Sequence, residues 1–149
     1  MAYAADTTVP LERSIAEIVT MLRKAGAESI GQMQERDSFV IVFALADRRM
    51  KFKVPLVTEY RGPLRSGNGR AIDPVAQIEQ QNRQKGRALL LVIKAKLESV
   101  ESHVETFEQA FLANIMLAGG QTVYEQVAEP IALEYQSGRA SGPLLLTGG

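Results

Sequence analysis

Two neighbouring segments constrain the fold more than any other part of the chain. Phe39 to Ala46 is unbroken apolar and rich in Val, Ile and Phe, the pattern of a central strand covered on both faces. Arg49-Met50-Lys51-Phe52-Lys53-Val54 then alternates strictly, the pattern of a half-buried strand. Asp47-Arg48 reads as the tight turn between them. Met50, Phe52 and Val54 would then face a core, leaving Arg49, Lys51 and Lys53 in a row on the open face. Pro55 ends the ladder or marks an edge. A weaker strand over Ser29 to Gln34, with a turn at Arg36-Asp37-Ser38, makes a three-stranded antiparallel sheet.

Helices flank this sheet. Leu11, Ile15, Ile18, Val19 and Leu22 recur at helical spacing after Pro10, and Gly26 follows the basic pair Arg23 and Lys24, so a helix is expected over about 10–25. Asp73-Pro74 is an N-cap followed by proline at the first helical position and opens the longest helix. Leu89, Val92, Ile93, Leu97 and Val100 form its apolar side. Arg83, Arg87 and Lys94 lie within about 40° of one another on the opposite side at about 100° per residue. Gly86 inside that helix weakens it by ~1 kcal/mol relative to alanine and points to a close contact. Thr106 to Gln109 and Thr122 to Glu125 both match the capping-box pattern, which starts two shorter helices. Pro130 kinks or divides the last one.

The expected class is therefore α+β: an N-terminal helix, three antiparallel strands, a long helix and two shorter helices. With 149 residues, 46% of them hydrophobic, the chain suits one domain. Residues 1–137 are assigned to it, with 29–104 as sheet plus long helix and 105–137 as a helical part. Residues 1–8 read as a loose arm and 138–149 as a flexible Gly-rich tail, with Leu144 to Leu146 as an apolar hook. Thr58 to Ile72 has no periodicity and reads as a mobile basic loop. The N-terminus lacks the features of a secretory signal and the longest apolar runs are too short to span a bilayer, so a cytoplasmic location is expected, in the host cell if the chain is phage-encoded.

Formal net charge is zero, but the zero hides a division. Residues 48–96 hold 12 basic residues against three acidic ones, a net of +9, and residues 97–149 hold Arg139 against seven glutamates. Such asymmetry points to nucleic acid or to complementary self-association.

Chemistry is narrowed by elimination. Without cysteine, disulfides and thiolate zinc sites are excluded. His103 is the only histidine and lies among Glu101, Ser102 and Glu105 with no nucleophile signature, which suits a solvated helical position. Glu98, Glu101, Glu105 and Glu108 fall on one face if their helix is unbroken, a set able to hold Mg²⁺ but more commonly a solvated row. Gly67-Asn68-Gly69-Arg70 lacks the ending of a phosphate-binding loop. No catalytic residue, metal or cofactor is assigned, and an enzyme is disfavoured. Few aromatics are available for base stacking, Tyr60 being the best placed.

The run Arg87 to Glu101 (RALLLVIKAKLESVE), with Phe107-Glu108, Phe111-Leu112-Ala113, Gly120 to Val123, Arg48 to Pro55 and the Gly138-Arg139 ending, resembles a family of small uncharacterised proteins of tailed phages and prophages. That resemblance implies a phage setting and nothing catalytic. The order helix, three strands, long basic helix is also similar to the core of single-strand annealing recombinases, over residues 29–104. This likeness implies a basic groove for single-stranded DNA and assembly into rings or filaments. A double-stranded-RNA-binding domain shares the element order, but its loop is shorter and a Lys-Lys cluster opens its helix.

The expected function is thus a phage-encoded nucleic-acid-binding protein, single-stranded DNA favoured, acting in recombination or replication as a homo-oligomer. Arg49, Lys51, Lys53, Arg83, Arg87 and Lys94 are the expected phosphate contacts, on the premise that they gather into one electropositive surface. The alternative is a non-enzymatic oligomeric interaction protein or virion component, whose basic first part and acidic last part suit head-to-tail assembly.

Overall fold

The computed structural model describes residues 4–144. It contains α1 (Leu11–Lys24), strands β1 (Glu28–Gln34), β2 (Ser38–Leu45) and β3 (Arg48–Pro55), the long α2 (Pro74–Glu101), a single-turn α3 (Phe107–Phe111) running into a 3-10 turn (Leu112–Asn114), and α4 (Val123–Ser137). This is the expected α+β order.

The three strands form one antiparallel sheet in the order β1-β2-β3. Phe39 pairs with Val54, Ile41 with Phe52 and Phe43 with Met50. The β2–β3 turn sits one residue earlier than expected, at Ala46 and Asp47, which both adopt left-handed backbone with φ of 53° and 58°. Two consecutive positive φ values match the right-handed twist of the flanking strands. β1 is less regular: its register with β2 shifts between Glu28 and Gly31, where Ser29 has φ 51°.

One face of the sheet forms the core. Phe39, Ile41, Phe43, Met50 and Phe52 are buried there with Leu11, Ile15, Ile18 and Leu22 of α1 and Leu89, Leu90 and Ile93 of α2. Phe111 of α3 stands edge-on to both Phe43 and Phe52, and Phe107 stacks on it. α1 and α2 approach closely at Gly86, where an added Cβ would lie 2.7 Å from Leu11 Cδ1 and 3.3 Å from Ser14 Cβ. Asp73 caps α2 as expected, accepting from Val75 N at 3.0 Å, and both capping boxes are formed. The far edge of β3 is closed by the segment after α3. Met116 N donates to Arg49 O at 2.7 Å, and Asn114 Nδ2 donates to Lys51 O at 3.1 Å.

Several expectations are corrected. β2 is covered on one face only: Val40, Val42 and Ala44 are half-buried on the other, because no helix of the described chain crosses that side of the core. The four-glutamate row does not form, since α2 ends at Glu101 and α3 begins at Phe107. His103 lies past the end of α2 with φ 60° and is exposed. Part of the N-terminal arm is docked: Ala4 is buried, and the Gln80 amide donates to Ala5 O and Thr7 O. Val92, expected on the apolar side of α2, is 46% exposed. The end of the Leu144–Leu146 hook lies outside the described residues.

Candidate nucleic-acid interface

The alternation of β3 sets the site. With Met50 and Phe52 in the core, Arg49, Lys51 and Lys53 project from the opposite face, opposite Ala44, Val42 and Val40 of β2. Residues two apart on a strand are ~6.6 Å apart, so the three cations form an evenly spaced line. Arg49 and Lys53 are exposed and Lys51 is partly covered.

The cover over Lys51 comes from the start of α4. A cleft of about 500 Å³ opens beside β3, lined among others by Lys51, Lys53, Asn114, Tyr124 and Glu125. Tyr124 is 62% exposed at its rim. Glu125 serves the α4 capping box, accepting from Thr122 N at 3.2 Å and Thr122 Oγ1 at 3.1 Å. Those donors hold its carboxyl below the usual carboxylate range, against the opposing effect of desolvation, with Lys51 and Lys53 assisting. Its oxygen lies 3.9 Å from Lys51 Nζ, a long, partly exposed pair of the kind that contributes little to stability and yields readily to another anion.

The α2 cations are placed differently. Arg87 Nη1 donates to Glu17 Oε2 of α1 at 2.7 Å, with its side chain only 17% exposed. That bond, above all, lowers the pKa of Glu17. Arg83 donates twice to Gln80 Oε1 and approaches Glu79. Lys94 is exposed. Because α2 packs against α1 through Gly86 as well as against the sheet, the side carrying Arg83 and Arg87 turns toward α1 and the docked arm. The six cations therefore do not form one continuous surface. Arg49, Lys51 and Lys53 lie on the open sheet face, whereas Arg83, Arg87 and Lys94 belong to the helical layer behind the core.

Other basic residues serve the fold. Lys96 Nζ donates to Ala110 O at 2.7 Å and lies 6.0 Å from the Phe111 ring centroid, and Arg48 pairs with Glu108 at 2.8 Å. Arg61, Arg65 and Arg70 are exposed on the long loop, whose start is clamped to α2 by Asn82. That side chain accepts from Val57 N and donates to Val57 O. Tyr60 is engaged within the same loop, its hydroxyl donating to Pro63 O at 2.7 Å. Among the described residues no cluster of His, Asp or Glu is arranged to hold a metal, and no helix is long and apolar enough to cross a membrane.

Sequence reading missed Asn114, Tyr124 and Glu125 as cleft residues. The capping box at Thr122 locates the start of α4, but nothing local indicates that this start returns to the edge of β3, some 70 positions earlier in the chain. Comparison with known proteins finds no matching family model, curated protein or solved structure.

Proposed function

We propose that the chain binds single-stranded nucleic acid along the open face of its sheet, with Arg49, Lys51 and Lys53 on successive phosphates and Tyr124 offering a ring to a base. The observation that carries this reading is the line of three cations beside a cleft with an exposed aromatic rim. An extended strand has phosphates at a comparable repeat, and backbone-tracking grooves of this kind pair cations with a stacking platform. Glu125 tunes the site as a competing anion on Lys51. The phage setting rests on the resemblance of the α2 segment and its flanks, and a role in recombination or replication on the basic segment and on the element order similar to that of single-strand annealing recombinases.

The test is fluorescence anisotropy with a labelled oligothymidine across a salt series. Three phosphates neutralised on a single strand give a log–log slope of about −2. Lys51→Ala should flatten it by ~0.7 and the triple variant of Arg49, Lys51 and Lys53 should abolish it. Arg87→Ala should leave it unchanged. Binding that is absent at low salt, or indifferent to the triple variant, overturns the proposal.

A further inference from the structure

The second face of β2 and the side of α4 that carries Tyr124, Ile131 and Tyr135 share an anomaly: each is apolar and each is left largely uncovered by the described residues. On the sheet, Met33, Val40 and Val42 line a shallow depression of about 200 Å³, opened by the missing side chain of Gly31, and Met33 is 56% exposed. An antiparallel sheet facing water ordinarily presents polar residues there. None of the described α4 residues beyond its cap is buried. A 15-residue helix is marginal in water by its own propensity and normally relies on a packed apolar face. Such a face exists: Ala128, Ile131 and Tyr135 continue the line of Tyr124 within about 60° at about 100° per residue. Ile131 is 40% exposed and Tyr135 87%.

Charge identifies what each surface fits. α4 carries Glu125, Glu129 and Glu134 and no lysine or arginine, with Glu125 and Glu129 flanking the stripe on one side and Glu134 on the other. Two such helices brought together would set like charges against each other. The sheet face has the complementary pattern, an apolar lane bordered by Arg49, Lys51 and Lys53.

We propose that α4 of one copy docks on the open sheet face of a second copy, with Ile131 and Tyr135 on the Val40–Val42 lane and Glu129, on one side of the stripe, toward the Arg49–Lys53 row. The contact is head-to-tail, so it repeats from copy to copy and closes into a ring or extends as a filament. It goes beyond the nucleic-acid reading and stands without it, although both ligands would engage the same cations.

The experiment is sedimentation velocity of the full chain, without nucleic acid, over a concentration series. Two variants use exposed residues whose replacement leaves the core intact: Ile131→Asp with Tyr135→Ser disables α4, and Arg49→Glu with Lys53→Glu disables the face. Wild type should associate with rising concentration, each variant alone should stay monomeric, and an equimolar mixture of the two should give a dimer and nothing larger. A monomeric wild type into the high micromolar range overturns the proposal. So does self-association of the Arg49→Glu/Lys53→Glu variant alone, which would mean that α4 pairs with α4. Neither outcome bears on oligothymidine binding, which is measured separately on dilute protein.

Discussion

Gly86 offers the sharpest test of how the two long helices meet, because two known effects oppose each other there. Replacing an interior helical glycine by alanine stabilises a helix by ~1 kcal/mol when the site is open. At this position the new Cβ would lie 2.7 Å from Leu11 Cδ1, 3.3 Å from Ser14 Cβ and 3.7 Å from Leu11 Cα. The Leu11 methyl can swing aside, but Ser14 Cβ is fixed to the backbone of α1 and fully buried. Overpacking of this kind costs ~1–3 kcal/mol. The net expectation for Gly86→Ala is a loss of about 1 kcal/mol, which at a urea m-value near 2 kcal/mol/M lowers the midpoint by about 0.5 M. Leu11→Val removes the nearest atom, so adding Gly86→Ala to that background should cost less than it does in wild type, or even stabilise. Urea melts followed by circular dichroism read all four proteins. A midpoint that rises for Gly86→Ala alone would refute the close crossing.

Three further outcomes follow from local geometry. Ala46 and Asp47 both carry positive φ, so the Asn-Gly pair (Ala46→Asn with Asp47→Gly), which favours this turn, should stabilise by ~1 kcal/mol in the same melts. Arg87→Ala removes the bond to Glu17 and should cost ~1 kcal/mol in thermal or urea unfolding while leaving nucleic-acid affinity intact. Glu125 is held below its ordinary pKa of 4.5, first by its bond from the Thr122 backbone. Its contribution to stability is therefore complete above that value and lost as pH falls through the lower folded value. Glu125→Gln retains an acceptor for the capping box, so it should flatten the acid limb of the stability curve and tighten oligothymidine binding by removing the anion beside Lys51.

Much of the fold was legible because its signals are local. The alternation of Arg49 to Val54 set strand, register and facing at once, since a slip of one residue would bury lysines. Asp73-Pro74, Thr106 and Thr122 marked helix starts through hydrogen bonds made within three residues. What stayed hidden depends on partners far away in sequence. The apolar run of β2 predicts cover on both faces but cannot say that the chain supplies only one. Arg83 and Arg87 looked solvent-facing because helical periodicity assumes a single packing partner, whereas α2 has two. The row Glu98 to Glu108 failed at one local event, the left-handed residue His103 that ends the helix.

The strap that closes the edge of β3 has a consequence for how the protein is made. Lys51 and Asn114 are 63 positions apart, so at ~5–20 residues per second a ribosome needs roughly 3–13 s to deliver the strap after the strand has emerged. Throughout that interval the sheet presents a bare edge, and Phe43 and Phe52 lack the ring of Phe111, the conditions under which nascent strands pair with the wrong neighbour. A fragment ending after α2 would remain permanently in that state. α3 and the segment after it thus act as a late-arriving seal, and expressing the sheet and α2 alone should yield insoluble material rather than a smaller version of the same molecule.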